Sequence, residues 1–170
     1  PQLVDVGLGV ERLFERGVPL TPAALEQTLA RKHFTDGTDH SLVLSLYKKT
    51  VQAMIIGARR LIYSSCDWGA TEVSQFASSW FPLCDHVRHF SLATNPLGPE
   101  GARAFCDGLG DGILPNLEFL NLYNNQLSDD GLVAIAAMLE RGGLPSLKVL
   151  RITGRNGVSP KGRAALRTIC

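Results

Sequence analysis

Cys84, Asp85 and His86, with His89 close behind, form the cluster in this 170-residue chain whose residue types could hold a metal ion. Thiolate, carboxylate and imidazole are all ligands, but a site of this kind needs further donors, and no second Cys/His pair stands near in sequence. His89 also falls on a strand, whereas Cys84 falls in the loop before it. The glycines of Gly108–Leu109–Gly110–Asp111–Gly112 invite comparison with a phosphate loop, which requires a strand before it and a helix after it. Here the order is helix, then strand, so the glycines read as the C-terminal break of a helix. No G-x-S-x-G motif presents a serine nucleophile. Asp129 and Asp130 stand at a helix start, where negative charge complements the helix dipole. The residues therefore predict no catalytic centre, cofactor or metal. What is left is recognition.

The elements that would position a recognition surface are repeated. Leu117, Leu120, Leu122, Asn125 and Leu127 follow the pattern L-x-x-L-x-L-x-x-N-x-L, and Gly131 then opens a run with Leu132, Ile135, Ala136 and Leu139 at helical spacing. Leu120 and Leu122 alternate along a strand, so both point to one side. Asn125 sits at the turn, where its amide can bond backbone groups left unpaired by stacking. Thirty residues upstream Val87, Phe90, Leu92, Asn95, Leu97 and Gly101 occupy the same slots, followed by Phe105, Cys106 and Leu109. Another 29 residues back lie Leu61, Tyr63, Cys66, Trp68, Glu72, Phe76, Ala77 and Trp80. Cysteine is an accepted substitute at the asparagine slot. A last copy comprises Leu147, Leu150, Ile152, Asn156, Val158, Gly162 and Leu166, with one extra residue before Asn156 that should alter its turn. A single strand–helix unit cannot bury its own apolar face, so the units must stack.

The phrases Asn95-Pro-Leu-Gly-Pro-Glu-Gly101-Ala and Asn125-Gln-Leu-Ser-Asp-Asp-Gly131-Leu, with Leu114-Pro-Asn-Leu117 and Leu144-Pro-Ser-Leu147, resemble the ribonuclease-inhibitor-like class of leucine-rich repeats. The resemblance covers residues 58 to 170. It implies an α/β fold: a short solenoid of about four strand–helix repeats, with a parallel sheet on the concave side. It says little of function. Members inhibit enzymes, activate GTPases, sense ligands or hold complexes together.

In this class the residues flanking the buried strand leucines point to the concave side. They form three rows: Arg60, His89, Phe119 and Val149; Ile62, Ser91, Asn121 and Arg151; Ser64, Ala93, Tyr123 and Thr153. Phe119 and Tyr123 beside Arg151 are residue types that dominate interface energetics. With Arg155, Lys161 and Arg163 of the last repeat, the candidate protein-binding residues are His89, Phe119, Asn121, Tyr123, Arg151, Arg155, Lys161 and Arg163. Four strands at about 4.8 Å spacing cover only about 15 Å, enough to dock on one side of a larger body but not to wrap it.

Residues 1–57 lack the repeat and are expected to form a helical cap on a solenoid spanning 58–170, the two making one continuous domain. Val4 to Glu15 carries apolar residues at helical spacing. Thr21–Pro22 looks like a helix start, with the helix running through Leu25 and Leu29 toward His33. Asp39 or Ser41 would cap a long amphipathic helix (Leu42, Leu44, Leu46, Tyr47, Val51, Met54, Ile55) ending near Gly57. At the other end the last strand, Val149 to Thr153, is expected to be an uncovered edge.

Charge is uneven along the chain. Residues 147–170 hold six basic residues and no acid (+6), while residues 1–146 hold 11 basic and 16 acidic residues (−5). This arrangement predicts a partner with an acidic surface that meets the C-terminal repeat. Nucleic acid is disfavoured, because the basic residues are not interleaved with aromatics and the pI is near 8.2. No apolar run reaches the about 20 residues of a membrane span. Cys66 and Cys106 fall on interior slots and no Asn-x-Ser/Thr occurs, which favours a reducing intracellular compartment. The first residue is proline, so a chain that is processed, trimmed or a fragment of a longer protein is expected. The stretch from Leu46-Tyr47 to Trp68-Gly69 resembles repeat proteins of single-celled algae and other protists, leaving cytoplasm or an organelle, plastid included, as the site of action. The expected role is a non-enzymatic scaffold or peripheral subunit of an assembly; the rival is a regulator of an enzyme, of GTPase-activating or inhibitor type.

Overall fold

The computed structural model describes residues 17–32, 39–110, 112–160, 162 and 164. The helix expected over Val4 to Glu15, His33, and the site residues Lys161 and Arg163 lie outside them.

Helix α1, Pro22–Leu29, begins where Thr21 Oγ1 accepts the Ala24 N–H at 3.2 Å. Helix α2, Asp39–Val51, continues through a π-helical turn, Gln52–Ile56, to Gly57. Asp39 and Ser41 lie inside its first turn rather than before it. The amphipathic pattern holds only in part. Leu44, Val51 and Ile55 are buried, but Leu42 and Leu46 are more than half exposed. At 3.6 residues per turn, Leu42 and Leu46 share a stripe rotated away from the one formed by Leu44, Val51 and Ile55.

Four strands follow: β1 (Arg60–Ile62), β2 (His89–Ser91), β3 (Phe119–Asn121) and β4 (Val149–Arg151). They pair in sequence order as one parallel sheet. Helices α3 (Ala70–Trp80), α4 (Gly98–Asp107) and α5 (Ser128–Glu140) connect them. The register aligns Leu61, Phe90, Leu120 and Leu150, the middle residue of each strand. Leu61, Phe90 and Leu120 are buried on the helix side, as are Leu92 and Leu122, while Leu150 and Ile152 are part-buried against the same core. The result is a short solenoid of strand–helix units around one interior.

That interior changes character along the stack. In the first two units it is aromatic: Tyr63 stacks on Trp68 at 4.4 Å, and Phe76, Phe81, Phe90 and Phe105 meet at centroid distances of 5.6–6.1 Å. In the later units it is aliphatic. Met138 is buried where Leu139 was expected to be, and Leu139 is half-buried. Two contacts tie the segment before α1 to the stack: Trp80 Nε1 donates to the Pro19 carbonyl at 3.0 Å, and the Tyr47 hydroxyl to the Leu20 carbonyl at 2.7 Å.

The asparagines explain the spacing. Asn95 Oδ1 accepts the N–H groups of Cys66 (2.9 Å) and Trp68 (3.1 Å) in the unit before, and its Nδ2 donates to the Tyr63 and Leu92 carbonyls, both at 2.8 Å. The Asn95 N–H is passed on to Asn125 Oδ1 at 3.1 Å, and that of Asn125 to Asn156 Oδ1 at 2.6 Å. Each asparagine therefore satisfies the turn of its predecessor, and all three are buried. The extra residue of the last unit does alter its turn. Asn156 Nδ2 spans both Ile152 and Thr153 carbonyls, and its own N–H bonds the Gly154 carbonyl at 2.8 Å. Gly154 has φ +90°, and a β-carbon there would press into the Tyr123 ring. In the other units this left-handed slot holds Ser65, Thr94 and Asn124, with φ between 55° and 60°.

Candidate interaction surface

A strand sends alternate side chains to opposite faces. The middle residue being buried on β1, β2 and β3 and half-buried on β4, the flanking residues emerge on the sheet face turned away from the helices. Pairing brings Arg60, His89, Phe119 and Val149 side by side, and Ile62, Ser91, Asn121 and Arg151 beside them. These are the rows expected from the repeat.

Their exposure is uneven. Ile62 and Val149 are about half exposed (50% and 47%), and Tyr123 stands at 36%. Ser91 and Ala93, which the alternation placed in the open, are buried at 6% and 8%. The Ser91 hydroxyl also meets that of Ser64 at 2.9 Å. The centre of the face thus holds the small, buried residues Ser91 and Ala93, with Ile62, Asn121 and Tyr123 in the same rows.

The candidate residues are locally organised. His89 and Phe119 lie ring against ring at 5.0 Å, and both are half-buried. The Arg151 guanidinium sits over the Tyr123 ring, 5.0 Å from its centroid, a cation–π arrangement. Asn121 Oδ1 accepts the Tyr123 N–H at 3.1 Å, so that side chain braces the end of its strand. Arg155 is exposed, its backbone N–H bonded to Asn124 Oδ1 at 3.1 Å. Phe119, Asn121, Tyr123 and Arg151 therefore form one patch, with His89 at its edge and Arg155 beyond it.

Charge separates by element, a feature missed when it is counted along the chain. On the strands and the residue preceding each stand Arg59, Arg60, Arg88, Lys148 and Arg151 against Glu118 alone, a net +4. Helices α3–α5 carry Glu72, Glu100, Asp107, Asp129, Asp130 and Glu140 against Arg103, a net −5. Glu118 is shared between Arg88 (2.8 Å) and Lys148 (3.0 Å). The hydrogen bond and charge of Lys148, aided by Arg88, hold its carboxyl below the usual range. Among the described residues Arg59, Arg60, Arg151 and Arg155 have no ion-pair partner.

The early candidates for chemistry resolve into structure. Cys84 is fully buried, and burial, helped by Asp85, pushes its thiol up to about 12, so it is an inert core residue rather than an ordinary loop side chain. Among the described residues no group of three or more His, Cys, Asp or Glu could hold a metal ion. Asp129 receives the N–H of Ser159 at 2.9 Å and its hydroxyl at 2.5 Å, which stitches α5 to the last unit. An open groove of about 600 Å³ lies on the helix side between α3 and α4, lined by Ser74, Ser78, Glu100, Arg103 and Asp107. No described helix is long and apolar enough to cross a membrane.

A family model described as Leucine Rich repeat matches residues 84–106 and 114–136, the second and third units from the approach to each strand into the following helix. No curated protein matches the sequence. The chain carries leucine-rich repeats, which point to a protein–protein interaction module.

Proposed function

We propose that this chain is a non-enzymatic binding module, a scaffold or peripheral subunit that docks on a larger assembly through its open sheet face and its last repeat. The observation that carries this reading is the patch of Phe119, Tyr123 and Arg151 on a ladder whose backbone is bonded from unit to unit. Rigid aromatic and arginine side chains lose little entropy when a partner covers them, and they supply much of the energy where they are buried. The helices before β1 would close the opposite end of the stack, since Val51 and Ile55 join the core there. We assign the repeats to the ribonuclease-inhibitor-like subtype, because each of the first three strands is followed by a helix of 10–13 residues. A reducing intracellular compartment suits the buried free thiols of Cys66, Cys84 and Cys106.

The test is affinity purification from native material with cross-linking, comparing wild type with Arg151→Glu, Arg155→Glu and Arg163→Glu combined. Cross-links should map to residues 119–155 and weaken in the variant. Association that is indifferent to all three changes would overturn the contact assignment. A partner that is an enzyme whose rate changes on binding would instead support the regulatory role.

A further inference from the structure

The geometry points to a ligand more specific than an acidic surface: an extended peptide segment laid across the strands, with an apolar side chain between two carboxylates. This inference rests on the binding-module reading and refines it. Three features of the open face carry it. First, its two outward arginines, Arg60 on β1 and Arg151 on β4, stand at opposite sides of the sheet, and neither has an ion-pair partner among the described residues. Second, the twelve residues of the three outward rows include no carboxylate, so no acid of those rows pairs with the guanidinium groups, and that of Arg151 rests over the Tyr123 ring. Third, between them the exposed apolar surface of Ile62 (50%) and Tyr123 (36%) flanks the small side chains of Ser91 and Ala93, an apolar contact area for one side chain.

The spacing follows from the sheet. Arg60 and Arg151 are separated by three strand steps of about 4.8 Å and two residues along the strand, about 16 Å on the diagonal. An extended chain advances about 3.3–3.6 Å per residue, so the two carboxylates would be about four to five residues apart. A segment crossing the strands needs no unpaired edge of the sheet and reads side chains alone. Guanidinium–carboxylate pairing supplies orientation, and the central apolar contact supplies burial. The negative helix side repels the same segment, which leaves the open face as its docking surface.

A random peptide display selected on wild-type protein, with Arg60→Glu/Arg151→Glu as the counter-target, tests this directly. Both arginines are exposed, and circular dichroism with a thermal melt verifies that the double variant is folded. Selected peptides should be enriched in Asp or Glu flanking an apolar residue at a separation of about four to five positions. Their affinity should fall at least about tenfold on the double charge reversal and weaken strongly with added salt. Peptides without acidic residues that lose binding on Phe119→Ser would overturn the carboxylate inference while the module reading stands. Failure to select any peptide dependent on either the arginines or Phe119 would count against both. Self-association abolished by Arg60→Glu/Arg151→Glu in sedimentation would make a second copy the occupant and overturn the peptide assignment.

Discussion

Replacing Asn95 with alanine removes four hydrogen bonds at once: two accepted from Cys66 and Trp68, and two donated to Tyr63 and Leu92. The side chain is 2% exposed, so water does not readily replace it. Each backbone group stranded without a partner costs about 1–3 kcal/mol. The Tyr63 carbonyl is only part-buried and can find solvent, so the dry groups dominate, and the expected loss is about 3–5 kcal/mol. Against a total stability of about 5–15 kcal/mol, that is a large share. Urea unfolding followed by circular dichroism is the assay. With a slope of about 2 kcal/mol/M, the midpoint should fall by about 1.5–2.5 M. Asn121→Ala is the control, because it gives up a single accepted bond on the open face and should cost no more than about 1 kcal/mol. Asn95→Asp separates the two halves of the effect: it keeps the acceptors but sets oxygen against the Tyr63 and Leu92 carbonyls, so it too should be clearly destabilised. If Asn95→Ala shifted the midpoint by less than about 0.5 M at unchanged slope, the asparagine ladder would not be what spaces these units.

Other consequences are separable. Gly108→Val drives a side chain into the Ala77 methyl where α4 meets α3, and overpacking of this kind should cost about 1–3 kcal/mol in the same unfolding assay. Thr94 is β-branched yet left-handed at φ +59°, so Thr94→Asn should raise stability by about 0.5–1 kcal/mol, read as a higher melting temperature. Burial pushes the Cys84 and Cys106 thiols from 9.0 up to about 12. Unfolding releases them, so their contribution is intact below 9.0 and is lost as pH rises toward about 12; native protein at pH near 8 should resist thiol labelling at both sites by mass mapping, and labelling there without unfolding would refute their burial. The Glu118 carboxyl is held below its ordinary value, so its pairing persists above that value and is lost as pH falls through the depressed one; Glu118→Gln should remove this acidic dependence, seen in melts across the carboxylate range at low salt.

Register was legible residue by residue. The alignment of Arg60, His89, Phe119 and Val149 by sequence is the alignment the strands adopt. The reason is physical: leucine alternation selects a face, and one buried asparagine per turn can reach the preceding unit only at a fixed offset. The same offset shows why the extra residue before Asn156 is tolerated, since its amide still reaches the Leu122 and Ile152 carbonyls and only the local turn is rebuilt around Gly154. Less was readable where no repeat constrains the chain. Leu42 and Leu46 fitted a helical pattern that included Leu44 as well, and periodicity alone could not say which stripe would meet the first unit. Ser91 and Ala93 were assigned an open face by alternation, but they are buried, and alternation gives the direction of a side chain without its exposure.

Charge gives the sharper lesson, because the count along the chain and the count by slot group different residues. Counted along the chain, positive charge gathers at the C-terminal end, which places an acidic partner there as an expectation. In a stacked array, however, a surface is made of slots, and one slot recurs in every unit at a distance of a strand step rather than a repeat length. Arg59 and Arg60 from the first unit, Arg88 from the second, and Lys148 and Arg151 from the fourth lie on the strands or directly before them, while the acids lie on three successive helices. Arg60 and Arg151 are 91 residues apart in sequence and about 16 Å apart across the sheet. Single charge reversals at the two should therefore weaken the same binding event to a similar degree, and the pair should show coupling through the shared ligand. A basic-tail mechanism makes the opposite demand: Arg151 would matter and Arg60 would not.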